Sequence, residues 1–186
     1  FLKDNKSGII PNLSALGIAD IGTAVIGGAF WLIIATLIGP EEYGKVTYLL
    51  SIVGISFSIC LIGIRETIIV YTIKKNPITP TIFVITGISA LIGFTALSGI
   101  FSRIDMSLLL VGYIINELCL GHFLGLRSYK TYSKFVLIQK ILSFGLGITF
   151  VLIFGYEGLI IALALSYVHF VLIYVKVIRF KKINFS

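Results

Sequence analysis

Six long apolar runs follow one another along this chain, at 14–38, 46–64, 81–101, 107–126, 135–154 and 159–178, with only short polar islands between them. A helix of about 20 apolar residues crosses the roughly 30 Å of hydrocarbon in a bilayer. Buried strands can also read as unbroken apolar runs, but these are about twice strand length. An open sheet edge, moreover, cannot be satisfied in lipid. Composition agrees: 58% of residues are hydrophobic, 12% are charged and the mean hydropathy is +1.07. Soluble domains carry about 25% charged residues, and so few charges could not cover the core of a soluble chain this long.

The first run holds Asp20, yet it contains eleven Leu, Ile, Val or Phe residues between Ser14 and Ile38. These favour insertion by about 0.3–0.6 kcal/mol each, against roughly 2.5–3.5 kcal/mol for a central Asp, and Asp20 lies off-centre. The second run could continue past Arg65 and Glu66 to Ile73, before Asn76, Pro77 and Pro80 force a turn. Lysine and arginine then set the orientation. With the N-terminus inside, the inner side receives Lys3, Lys6, Arg65, Lys74, Lys75, Arg127, Lys130, Lys134, Lys140, Lys176, Arg179, Lys181 and Lys182. Only Lys45 and Arg103 fall outside, so the 15 basic residues divide 13 to 2. The positive-inside rule therefore predicts both termini in the cytoplasm. The expected fold class is an all-α integral membrane protein, a bundle of six transmembrane helices over residues 1–186, in the cytoplasmic membrane.

The net charge of +7 does not point to nucleic acid, because the basic residues are dispersed at the ends of apolar runs. Cys60 and Cys119 both fall inside apolar runs, and a disulfide framework or zinc site would need more ligands at tighter spacing. They are expected to be packed or lipid-facing. No cleavable signal peptide is recognisable, since the first run is too long and lacks a small-residue cleavage site. The chain begins at Phe1 and its single methionine is Met106, so a piece of a longer protein is expected.

The first polar island has a particular wording, "LIGPEEYGKVTYLL". Gly39 and Pro40 end one helix. Glu41 and Glu42 are solvated acids on the expected outer side. Tyr43 and Tyr48 suit an interfacial belt, and Gly44 and Lys45 complete the loop. In this island, in the step Ile62-Gly63-Ile64 and in the tail "IFGYEGLIIALALSYVHFVLIYVKVIRFKK", the chain resembles polysaccharide-export (O-antigen-type) flippases of the multidrug/oligosaccharidyl-lipid/polysaccharide exporter superfamily. Their first outer loop commonly reads leucine, glycine, proline, two acids, an aromatic and glycine, matched here by Leu37 and Gly39 to Gly44 with Ile38 intervening. Their last turn of this half carries a Gly-x-x-Gly, here Gly155 and Gly158. The resemblance implies the N-terminal six-helix lobe of a two-lobe transporter. It also implies a lipid-linked glycan substrate, a second six-helix lobe as partner beside the membrane lipids, and movement of the glycan by alternating access. No nucleic acid, cofactor or metal is implied, and no bond-making chemistry.

Ionisable groups within spans are functional candidates by default. Asp20 shares a stripe with Gly17, Ala24, Gly27 and Trp31; it reads as a cavity acid or coupling site, or as a packing acid bonded to a hydroxyl. Glu117, beside Asn116, reads as a coupling carboxylate or as an interhelical hydrogen-bonding group, with close helix approach at Gly121 and Gly125. His122 and His169 could titrate or bond a sugar hydroxyl, or could simply be packed; they lack the companions of a metal site. Arg65 and Lys140, at the expected inner ends of the second and fifth runs, match the phosphate of a lipid-linked sugar. The plainer alternative is snorkelling, or for Arg65 a pair with Glu66 or Asp20. A cation-coupled multidrug or metabolite antiporter of the same superfamily, and a non-transporting membrane scaffold, are the rival readings.

Overall fold

A computed structural model of the chain describes residues 6–61, 63–74 and 79–180. Lys3, Ile62, Lys75, Asn76, Pro77, Lys181 and Lys182, to which the sequence assigns roles, lie outside these residues. The described residues are almost all helical, in elements α1 (Lys6–Cys60), α2 (Ile64–Ile73), α3 (Thr79–Phe101), α4 (Ile104–Gly125), α5 (Tyr129–Phe154), α6 (Tyr156–Leu165) and α7 (Val168–Phe180).

The first element is two limbs in one. Trp31 and Tyr113 line one cavity, and the Phe57 ring meets Tyr113 edge-on at 5.7 Å. Along a straight helix Trp31 and Phe57 would stand roughly 39 Å apart, so the chain doubles back. It does so at one residue, Gly39, whose φ of 78° and ψ of 169° leave the helical region. That conformation is essentially restricted to glycine. Pro40 suits the first position of the new limb, where its missing N–H costs nothing. Glu41 and Glu42 occupy the first turn, where acids meet the positive end of the helix dipole. Lys45 pairs with Glu41 at 2.8 Å, one turn on, and holds that carboxyl below its usual range. The island expected as a loop is thus a one-residue reversal, and residues 40–45 are already helix.

Gly155 repeats the device between α5 and α6, with φ 65° and ψ −159° and Glu157 in the following first turn. Both reversals lie at one end of the bundle, as Lys45 stands over the Tyr156 ring at 5.9 Å. Trp31 and Tyr43 meet edge-on at 6.1 Å beneath them. Alanine at Gly39 or Gly155 meets open space, so the cost of each substitution is purely conformational, about 1–3 kcal/mol. Each variant is expected to melt several degrees below the parent in detergent, followed by loss of the monodisperse chromatographic peak; unchanged melting would refute the strained reversal.

Among the described residues, five helical stretches are long and apolar enough to cross a membrane: Gly17–Cys60, Thr79–Phe101, Ile104–Gly125, Tyr129–Phe154 and Tyr156–Val175. The first of these doubles back, so six apolar limbs stand side by side. Their outward faces are apolar, with Ile18, Leu32, Ile100, Leu152 and Leu172 among the exposed side chains. This is the architecture of a multi-pass membrane protein. At its centre stands α4, which packs against each of the other six elements and buries Leu109, Leu110, Ile114 and Leu118 completely.

The last apolar run is broken in mid-span. Around Ser166 and Tyr167 the hydrogen bonds tighten, the Ser166 N–H reaching the Ala162 and Leu163 carbonyls and the Tyr167 N–H the Ala164 carbonyl. No glycine or proline stands there; a buried polar cluster does.

Candidate functional site

The site begins with a glycine face on the central helix. Glu117, Gly121 and Gly125 recur every four residues and so lie on one side of α4. The absence of side chains at the two glycines lets α2 settle against that side. A β-carbon at Gly121 would lie 3.6 Å from the Arg65 carbonyl oxygen, and one at Gly125 would lie 2.5 Å from the Thr72 Cβ. Arg65, Ile68 and Thr72 follow one face of α2, so seating that face on the glycines brings Arg65 beside Glu117. The Arg65 Nε stands 3.2 Å from the Glu117 Oε2. Their alignment makes an ion pair without a well-formed hydrogen bond, and Oε2 is shielded from solvent with no other polar partner.

This pair forms one wall of a cavity of about 360 Å³, which Lys140, Tyr132 and Gln139 of α5 and Tyr167 at the α6–α7 break also line. A smaller recess of about 120 Å³ shares Tyr113, Gln139, Lys140 and Tyr167 with it and reaches Gly27, Phe30 and Trp31. The two adjoin across the four shared residues, and together they make a cleft lined by both limbs of α1, α2, α4, α5 and the α6–α7 break. No described carboxylate lies within ion-pair reach of Lys140. Around the charges the lining is aromatic and amide: Phe57, Tyr113, Tyr132 and Tyr167 supply ring faces, while Asn116 and Gln139 supply donors and acceptors. Such a wall suits a polar ligand with ring-shaped apolar faces.

Behind the cleft the polar groups are satisfied among themselves. The Gln139 amide donates to the Ser143 hydroxyl at 2.8 Å, Ser143 donates to Ser166 at 2.8 Å, and Ser166 closes the chain on the Leu163 carbonyl at 2.7 Å. This buried network fixes Gln139 beside Lys140 and ties α5 to the broken sixth span.

The structure thus brings together Arg65, Glu117 and Lys140. Asp20 stands apart from them: its side chain is exposed, though it lies near enough for its charge to act on the Tyr132 phenol. It lies on the same helical stripe as Gly27 and Trp31, which line the recess, but is not itself part of the lining. Arg65 pairs with neither Asp20 nor Glu66, the partners the sequence offered. His122 is buried elsewhere, its Nδ1 3.4 Å from the Thr72 hydroxyl and its ring edge-on to Phe83 at 5.9 Å. His169 stacks on Phe135 at 5.9 Å. Its ring nitrogens lack a well-formed hydrogen bond among the described residues, although the Ser166 backbone is close enough to interact. Gly39, Pro40, Glu41, Glu42, Tyr43 and Gly44 lie at the reversal end and contribute no wall to the cleft. No group of three potential metal ligands occurs among the described residues.

Tyr113, Tyr132, Gln139 and Tyr167 were not singled out by sequence. Gln139 beside Lys140, with Ser143 one turn on, was the available signal for one of them. A larger groove of about 570 Å³ between residues 52–60 and α3 is lined by isoleucines, small residues, Leu97 and Phe101 and carries no charge, so it cannot orient an ion. Comparison of the chain with protein-family models, with curated proteins and with solved structures finds no match.

Proposed function

We propose that this chain is the N-terminal lobe of a transporter that flips lipid-linked oligosaccharide or polysaccharide precursors across the cytoplasmic membrane, with both termini in the cytoplasm. The observation that carries the reading is the cleft holding Arg65, Glu117 and Lys140 inside an apolar helical bundle. Charges in such a setting are costly, and transporters place them where cargo is handled. The two cations meet the phosphate of the carrier lipid, Arg65 through its planar donor set and Lys140 as a point charge. The tyrosines and amides face the first sugar. A second lobe would close the cleft from the other side, and rocking of the two lobes would carry the headgroup outward while the lipid tail stays in the bilayer.

The same cleft supports a second reading, a cation-coupled exporter of drugs or metabolites, because a shielded carboxylate such as Glu117 is a natural ion-coupling group. The readings separate in proteoliposomes that contain the full-length protein and a fluorescent lipid-linked oligosaccharide. Flipping is expected, and Lys140→Ala or Arg65→Ala is expected to slow it roughly tenfold to a hundredfold, the equivalent of one lost charged hydrogen bond. Flipping insensitive to both substitutions would overturn the assignment of the cations. Absence of flipping by the parent protein would favour the exporter, or a scaffold that transports nothing.

A further inference from the structure

The cleft is charge-balanced for a particular cargo. Arg65 and Lys140 are cations and Glu117 is an acid, which leaves one unbalanced positive charge. That count is of the residues that line the cleft; the other groups near Glu117 are neutral phenols or acids that water screens. Tyr113 on its own helix, Tyr132 on α5 and Tyr167 at the α6–α7 break are phenols. Glu66 on α2 and Asp20 on the first limb of α1 are exposed to solvent, and α3 carries no charged residue.

The ion pair is also lopsided. The Arg65 side chain is 41% exposed, while that of Glu117 is 22% exposed. An incoming anion therefore meets the guanidinium first, and only its Nε side is engaged by Glu117. The terminal nitrogens are free to take two oxygens of the anion in parallel. The anion and the Glu117 carboxylate then share one guanidinium, and the shielded Oε2 of Glu117 has no hydrogen bond to hold its charge.

A ligand with one negative charge is balanced by the spare charge of Lys140. A ligand with two is not. The least costly way to restore neutrality is a proton on Glu117, since a carboxylate deprived of its counter-charge in low dielectric is the most expensive arrangement available.

Resting on the flippase reading above, we infer that Glu117 is a charge compensator: cargo carried on a diphosphate enters with one proton taken up by Glu117, whereas cargo carried on a single phosphodiester enters with none. The proton adds to a carboxylate lone pair and no bond in the cargo is made or broken. On release outside, the anion leaves Arg65, the ion pair re-forms and the proton is lost to the outer side, so diphosphate cargo alone carries one proton outward with it.

The test uses two matched probes, farnesyl-diphospho-N-acetylglucosamine and farnesyl-phospho-N-acetylglucosamine, titrated into the full-length protein in nanodiscs. Binding heats are measured in HEPES and in Tris, whose ionisation heats differ, so their difference counts protons taken up. About one proton is expected for the diphosphate and about none for the monophosphate; Glu117→Gln is expected to bind both without proton uptake. Lys140-dependent binding of the diphosphate with no proton uptake would overturn the inference and leave the flippase reading intact. Proton uptake that persists in Glu117→Gln would overturn it also. Failure of both probes to bind would overturn the flippase reading itself. The comparison of the two probes on the unmodified protein stands even if Glu117→Gln does not fold.

Discussion

Gly125→Leu is expected to keep the protein from accumulating in the membrane, while Gly121→Ala, one turn away on the same face, is expected to be tolerated. The difference lies in what each glycine faces. A β-carbon at Gly121 finds its neighbours at 3.6–3.7 Å, ordinary contact distance, and alanine gains about 1 kcal/mol of helix propensity over glycine. A β-carbon at Gly125 finds the Thr72 Cβ at 2.5 Å, the Thr72 Cγ2 at 2.9 Å and the Ile69 carbonyl oxygen at 3.0 Å. A change of χ1 can turn the Cγ2 away, but the Cβ is fixed by the backbone and the carbonyl oxygen is part of it, so α2 itself must move. Gly125→Ala is therefore expected to lose about 1–3 kcal/mol to overpacking, offset only in part by propensity. Leucine multiplies the displacement. Because α2 carries Arg65, its displacement also opens the ion pair with Glu117, so the alanine variant should lose anion binding as well as thermal stability. Melting of the two alanine variants in detergent, with probe binding alongside, checks both halves. Equal melting of Gly121→Ala and Gly125→Ala would show that α2 does not sit in this groove.

Features that depend on local chemistry were legible in the sequence; those that depend on distant pairing were not. The apolar runs stand out because lipid imposes a length on every span. Gly39-Pro40 stands out because only one backbone conformation suits that pair, although the pair spans a single reversal and not the seven-residue loop the polar letters suggested. The face holding Glu117, Gly121 and Gly125 follows from spacing alone. What sits on that face does not. Arg65 had Glu66 next to it and Asp20 in the neighbouring run, and nothing in the spacing of either distinguishes them from Glu117, 52 positions away. The packing of α2 makes the choice. The break at Ser166 and Tyr167 left no trace, since neither residue is a helix breaker and the buried hydroxyl network that accompanies it reaches across to Ser143 on another helix. Cleft phenols such as Tyr113 and Tyr167 read in sequence as ordinary membrane aromatics, and only the convergence of α4, α5 and the broken sixth span separates them from those facing lipid.

Reversing one charge of the ion pair is expected to do more damage than removing it, and reversing both is expected to repair the fold but not the function. Arg65→Glu places a second carboxylate beside Glu117, whose shielded Oε2 already lacks a hydrogen bond. Leaving a shielded polar group without its partner costs about 1–3 kcal/mol. The lower part of that range applies here, because the Arg65 side chain is 41% exposed and water screens it. Direct repulsion between like charges is then added to it, and the reversal should leave little folded protein. The double variant Arg65→Glu with Glu117→Arg restores an opposite pair on the same two helices, so accumulation and melting should recover much of the loss. A double-mutant cycle on melting would read that recovery as a coupling energy. Anion binding should stay lost, for a geometric reason. The guanidinium would then stand on α4, on the better-shielded side of the pair, and the carboxylate would take the exposed side that incoming phosphate meets first. Recovery of both stability and binding in the swap would mean that only net charge matters in the cleft. Recovery of neither would mean that the glycine face, and not the charge pair, holds α2 in place.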